Sequence, residues 1–180
     1  MMRAVLDACV LYPTVLREIL IGVAARGGFT PLWSARILAE WQRAAARLGP
    51  EGAAIASGEI AALRARWPEA ELPANPALEA QLDLPDAADK HVLAAAITGK
   101  AALIITQNLR DFPARALAPH GLAARSPDDV LMALWLDNPA PVEAAAREAQ
   151  AATVAASGRD QPLRALLKRA RLPRLGKALG

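Results

Sequence analysis

Along this chain, short runs of apolar residues alternate with longer stretches in which apolar residues recur every three or four positions. Ala4 to Leu6 is too short a run for a helix and reads as a buried strand. Pro13 can open a helix, in which Val15, Ile19 and Val23 repeat until Gly27-Gly28 stops the pattern. Phe29 to Trp33 reads as a second strand, with Pro31 implying an edge position or a short element. Ser34 suits the N-cap of a helix from Ala35 to Leu48, closed by Gly49-Pro50. A further helix runs from Glu51 or Ala53 to Trp67, with Ile55, Ile60, Leu63 and Trp67 on or near one face. Residues 68–85 hold four prolines and read as a loop with one short extended piece.

Asp86 can cap a helix ending at Thr98-Gly99, and Ala102 to Thr106 is the clearest strand after the first. A short helix follows Pro113, and Leu122 to Arg125 forms another strand. Ser126-Pro127-Asp128-Asp129 combines cap, first-position proline and first-turn acids, a strong helix start. Two more helical stretches, 140–157 and 161–172, follow with alanine-rich, thin packing faces. Strands alternating with helices predict an α/β domain with a parallel sheet, spanning residues 1–138, and a helical, basic extension over 139–180. Ligands of such sheets bind beyond the carboxyl ends of the strands, where both Asp7 and Asn108 fall.

Composition narrows the class. At 180 residues and 54% hydrophobic content, the chain suits a folded domain with a sizeable core. One cysteine, Cys9, excludes an internal disulfide framework and a multi-cysteine zinc cage, which fits a reducing cytoplasm. The N-terminus lacks a long apolar stretch, and Val15 to Ala25 is too short to span a bilayer, so a soluble protein with no membrane partner is expected. The formal charge is +3, unevenly spread. Residues 159–180 carry seven basic side chains against one acid, a net +6, which leaves −3 for residues 1–158. Such a basic tail fits RNA or an acidic partner segment; it also fits a solvated helix, or docking onto the body through Leu163, Leu166, Leu167 and Leu172.

Several polar residues interrupt the apolar pattern. Asp7 ends the first strand, where an aspartate is commonly a turn residue. Asp89 lies three residues after Asp86 and can complete a capping box. Glu40 shares a helix face with Ile37, Trp41 and Ala44, where it could pair with Arg36, Arg43 or Arg47. Asn108 and Asp111 follow the strand ending near Thr106, and Asp111 could cap the next helix. Taken together, these elements converge on one sheet edge. Several carboxylates there repel one another unless a cation neutralises them, and oxygen-only ligation favours Mg²⁺ or Mn²⁺ over zinc. The chemistry this implies is phosphodiester hydrolysis.

Four blocks strengthen that reading: Val5-Leu-Asp7-Ala-Cys-Val-Leu-Tyr-Pro13, Leu38-Ala-Glu40, Asp86-Ala-Ala-Asp89-Lys-His-Val-Leu-Ala-Ala-Ala96 and Ile105-Thr-Gln-Asn-Leu-Arg-Asp-Phe-Pro113. In order and spacing they resemble the PIN domain family, which includes the VapC-type toxins of bacterial toxin–antitoxin pairs. The resemblance covers residues 3–130. It implies a three-layer α/β/α sandwich around a central parallel sheet, with an endoribonuclease activity dependent on Mg²⁺ or Mn²⁺. It implies that Asp7, Glu40 and Asp89 are the invariant acids, with Asn108 and Asp111 completing the metal site. Thr106 matches the hydroxyl residue that orients a carboxylate or a substrate phosphate. An RNA substrate, a small cognate antitoxin and a homodimer are the implied partners. Asn108 departs from fully acidic versions of the family, because its amide can ligate but brings no charge.

Other readings remain beside it. A phosphatase or dehalogenase with Asp7 as nucleophile wants a second aspartate two residues on, where Cys9 stands. A receiver-like module wants a lysine after a late strand, and neither Lys90 nor Lys100 is so placed. A catalytically weak PIN fold could serve as an RNA- or protein-binding scaffold. His91, about 200° round the helix from Asp89, is expected in a supporting or surface role. His120 reads as a loop residue, Cys9 as a packing residue, and the four tryptophans mostly as core.

Overall fold

A computed structural model describes residues 1–180. In chain order the elements are β1 (Arg3–Leu6), α1 (Ala8–Leu11), α2 (Thr14–Ala25), β2 (Thr30–Ser34), α3 (Ala35–Ala46), α4 (Pro50–Arg66), β3 (Glu71–Leu72), α5 (Pro76–Gln81), α6 (Lys90–Thr98), β4 (Leu103–Ile105), α7 (Ala114–Leu117), β5 (Ala123–Arg125), α8 (Pro127–Asp137), α9 (Pro139–Ser157), α10 (Leu163–Arg169) and α11 (Pro173–Leu179). The strands form one parallel sheet in the order β3-β2-β1-β4-β5. The chain builds outward from β1 to β2 and β3, then returns to place β4 and β5 on the other side. Crossovers in opposite directions, each right-handed, put their helices on opposite faces. The result is the three-layer α/β/α sandwich, and β1 is buried at Ala4, Val5 and Leu6, as a strand covered on both faces must be.

Three expectations need correction. Of the two readings of Pro31, the edge position fails, since β2 lies between β1 and β3, while the short element holds, since β2 has five residues. The N–H groups of Thr30 and Trp33 point to opposite neighbours, reaching Met2 and Ala70. By that alternation Pro31 lacks its N–H on the β3 side, where the two-residue β3 does not extend. Residues 68–85 are not merely loop. Asn75 caps α5 by accepting a hydrogen bond from the Leu78 N–H, with Pro76 at the first helical position. Ile55 does not join Ile60 and Leu63 in the core; it is exposed on α4.

The helix expected over 161–172 is α10, and a further, unexpected helix, α11, follows it from Pro173. Arg171 adopts φ +61°, Leu172 donates to the Leu167 carbonyl and Arg171 to the Lys168 carbonyl, which together close α10 in a Schellman motif. An arginine in that left-handed position gives no sequence signal of a helix end. The pair α10–α11 packs Leu163, Leu166, Leu167, Leu172 and Leu175 inward. Ahead of them, α9 lies along α2 with Val142, Ala145, Ala146 and Ala149 buried in the same cluster as the strands. The small residues let the helices meet closely: a Cβ on Gly22 would stand 3.0 Å from the Cβ of Ala145. No helix is long and apolar enough to cross a membrane.

Asp128 fastens this extension. Buried in the first turn of α8, it accepts hydrogen bonds from the N–H groups of Arg174 (2.9 Å) and Leu175 (3.1 Å), the otherwise unpaired donors that open α11. Arg174 also pairs through its guanidinium with Asp129 at 2.5 Å. Asp128→Ala should cost about 1–2 kcal/mol of stability. Hydrogen exchange should show the loss first in α10 and α11; uniform loss of protection across the sheet would contradict this anchoring role.

Candidate active site

The sheet order reverses between β1 and β4, and the crevice at their carboxyl ends is where an open α/β sheet binds ligands. Register fixes what stands there. Leu6 pairs with Ile105, and the Asp7 N–H donates to the Ile105 carbonyl at 3.1 Å, so Asp7 and Thr106 leave the sheet abreast. Asp7 is only 5% exposed and Thr106 is wholly buried.

A directed chain of hydrogen bonds holds them. The Asn108 N–H donates to Thr106 Oγ1 (3.0 Å), and the Thr106 hydroxyl donates to Asp7 Oδ2 (2.8 Å). The Ala8 N–H donates to Asp7 Oδ1 (2.8 Å), which makes Asp7 the cap of α1 as well. Burial raises the Asp7 carboxyl above the usual aspartate range, the hydrogen bonds from Thr106 and Ala8 oppose this, and the negative charge of Glu40 adds to the rise. Cys9 completes the floor. Its Sγ lies 3.4 Å from Thr106 Oγ1 and accepts from the Gln107 N–H at 3.4 Å. Burial, reinforced by the charge on Asp7, pushes its thiol up to about 11, so it packs as a neutral thiol rather than serving as a nucleophile.

Helix ends bring the remaining acids. Both α3 and α6 begin at the carboxyl edge of the sheet, because each returns antiparallel to the strands. Ser34 closes β2 and caps α3 through the Ile37 N–H, which sets Glu40 in the helix's second turn. Glu40 takes none of the arginine partners expected for it. Its Oε1 accepts from His91 Nε2 at 2.5 Å, while Arg36 pairs with Glu79. His91 is 6% exposed on α6, with Nδ1 buried and unpartnered. It is a supporting residue, not a surface one. Its position two residues after Asp89, on a helix facing α3, is the signal that places it.

Asp86 accepts from the Ala88 N–H and caps the 3₁₀ turn Ala87–Asp89. Asp89 makes no capping bond of its own, so its half-buried carboxylate is free. Partial burial and then the negative charges of Asp111, Asp7, Asp86 and Glu40 raise it to about 6. Asp111 ends a 3₁₀ turn after β4 and does not cap α7, whose N-cap is Pro113. Asn108 joins the network only through its backbone N–H; its side chain is exposed. His120 is exposed at the turn before β5.

Arg17, not singled out by the sequence pattern, braces the site from below. Buried in α2, it donates to the carbonyls of Leu11 (2.6 Å) and Tyr12 (3.1 Å) at the end of α1, and it pairs with Glu59. Its guanidinium also lies 4.5 Å from the ring centroid of Trp41, the residue after Glu40. A charged residue within the apolar stripe of α2 was the available sign.

The carboxylates of Asp7, Glu40, Asp89 and Asp111 are thus in electrostatic reach of one another. No three acidic, histidine or cysteine side chains stand at direct metal-ligating spacing. Their donor chemistry, hard carboxylate oxygen throughout, fits a divalent cation of the Mg²⁺ or Mn²⁺ type.

Two measurements test this electrostatic picture. Because the Asp89 carboxyl is raised, the folded protein holds a proton between about pH 4 and 6 that the unfolded chain has released, and stability falls as pH rises through that window. In the metal-free protein, Asp89→Asn should therefore raise the melting temperature at pH 8 by about 2 °C after allowance for solvent screening, with the difference closing near pH 4. A variant no more stable than wild type at pH 8 would refute the crowding. Thr106→Val removes the hydroxyl that opposes burial at Asp7, so carbon-detected NMR titration should place the Asp7 midpoint higher than in wild type; an unmoved midpoint would contradict the bond.

Comparison with known proteins agrees with this geometry. A model of the PIN domain matches residues 3–110, well over half of the chain. A Mycobacterium tuberculosis protein named "Putative ribonuclease VapC50" is 50% identical over 44 residues, which is 24% of this chain and 26% of that protein. The match therefore spans about a quarter of that relative's length. No solved structure matches the chain. With a five-stranded parallel sheet, Asp7 at its switch point and a matching model across 3–110, the chain belongs to the PIN domain family.

Proposed function

We propose that this protein is a divalent-metal-dependent endoribonuclease that hydrolyses RNA phosphodiester bonds. The observation that carries the reading is the crowding of Asp7, Glu40, Asp89 and Asp111 at the crevice between β1 and β4, where partial burial and then that crowding raise Asp89 to about 6. Repulsion of that kind is relieved by a cation, and family membership makes nuclease chemistry the natural use of one. Mg²⁺ or Mn²⁺ supplies activation of an attacking water and neutralisation of phosphate charge. Asp7, held by Thr106 and Ala8, offers a fixed carboxylate. Glu40 keeps one oxygen turned to His91 and leaves the other for the site. Asp89 and Asp111 enclose the crevice from the 3₁₀ turn before α6 and from the turn after β4. Asn108 adds no charge, so we assign one cation to the site rather than two.

Residues 1–138 form the nuclease unit in this reading, and 139–180 an extension docked on it. The family resemblance supports a toxin of a toxin–antitoxin pair, acting in the cytoplasm with a small cognate antitoxin and as a homodimer. The named ribonuclease among its relatives supports the RNA substrate. A PIN scaffold that binds RNA or protein without cutting is the competing reading, and the carboxylates' separation beyond direct ligating spacing favours it.

Manganese titration followed by isothermal calorimetry should give one ion per chain, and chelation should abolish cleavage of RNA. Asp7→Asn and Asp89→Asn should each lower the cleavage rate by about 100-fold or more. Cleavage at the wild-type rate by both variants would remove these residues from the active site. Absence of both cation binding and cleavage would leave the scaffold.

A further inference from the structure

The basic segment 159–180 has a structured place to put its charge. Between the start of α2 and the α9–α10 corner lies a groove of about 660 Å³ whose polar lining includes Thr14, Thr153, Arg159, Asp160, Gln161 and Arg169. Arg159 and Arg169 are exposed, and none of the six ion pairs in the molecule involves either of them. Arg169 is held by a neutral partner, donating to Gln161 Oε1 at 2.6 Å. Arg164, Lys168, Arg171 and Lys177 are exposed around the groove's helix and its neighbour, equally free of carboxylate partners. Asp160 is the single acid in the lining.

Two further features define the occupant. Leu163, Leu166, Leu167 and Leu175 are buried, so the outward side of α10 and α11 presents cations. The groove they border also has an apolar lining of Pro13, Val15, Leu16, Leu166 and Ala170, so it is the unpaired positive charge that selects a polyanion as occupant. The groove also opens beside the acidic crevice. Asp7 caps α1, α1 ends at Leu11, and Thr14 already lines the groove. Chain geometry therefore limits the Cα separation of Asp7 and Thr14 to at most about 17 Å.

We propose that this groove, through Arg159 and Arg169, binds the phosphate backbone of a single RNA strand leading away from the acidic crevice. The interaction is with phosphates, so it is independent of base sequence and sensitive to salt. It offsets a liability of the crevice itself, whose carboxylates repel a polyanion. The assignment rests on RNA being the substrate.

The test uses the full chain in EDTA, which prevents turnover, and a fluorescein-labelled single-stranded RNA read by anisotropy across a KCl series. Arg159→Ala/Arg169→Ala should weaken binding roughly ten-fold at 0.15 M salt. It should also reduce the slope of log affinity against log salt by about 1.4, with the melting temperature unchanged. Affinity and slope equal to wild type would overturn the proposal. So would displacement of the RNA by polyglutamate at equal charge concentration, which would assign the face to an acidic protein. RNA cleavage is measured separately with Mn²⁺. Wild-type protein that binds with the expected slope yet cuts no RNA leaves the groove standing and removes the nuclease reading. Cleavage together with a slope indifferent to the substitutions does the reverse.

Discussion

The site depends on the register between β1 and β4. Because Leu6 stands opposite Ile105, the two residues that follow, Asp7 and Thr106, emerge together at the point where the sheet changes direction. A shift of one residue would send Asp7 away from the Thr106 hydroxyl and leave a carboxylate buried without its principal donor, a cost of several kcal/mol. The apolar runs on either side allow no such shift, since each strand residue is committed to one face or the other. Backbone pairing, set by packing far from solvent, thus determines where chemistry can happen.

Around that fixed pair, the acids that come from helices are held differently. Glu40 on α3 is tied to His91 on α6, and its neighbour Trp41 rests on the guanidinium of Arg17. Asp89 and Asp111 lie on 3₁₀ turns and carry no capping duty. The result is a graded site, with one carboxylate immobilised by hydrogen bonds, one oriented by a histidine, and two on turns that can adjust. Such a gradation suits a ligand whose own geometry completes the arrangement.

The sequence was most legible where local and global preferences coincide. Ser34, Asp86 and Ser126 each cap the helix or turn that their spacing announces, and the short apolar runs became strands with their bounds moved by a residue or two. Legibility failed where a three-dimensional neighbour decides the outcome. Pro31 leaves an edge strand and a short one equally open because sequence cannot reveal that β3 is too short to need its N–H. Ile55 fits the helical face of α4 but lies outside the core. Arg171 ends α10 in a conformation usually signalled by glycine. At the site, the acids stood out against apolar surroundings, whereas the sequence marked His91 and Arg17 only as polar residues in apolar helices and could not reveal their partners, Glu40 and the carbonyls of Leu11 and Tyr12.

The close meeting of α2 and α9 has a consequence for the history of this chain. Gly22 leaves only enough room for a Cβ at 3.0 Å from that of Ala145, so neither position can grow unless the other helix moves. The PIN model matches only as far as residue 110, yet α2 within that match carries a glycine that meets a segment well beyond it. The two parts are therefore bound to vary in concert. A relative that lacks α9 is under no such restraint, and the residue it carries opposite this glycine is free to become large and polar.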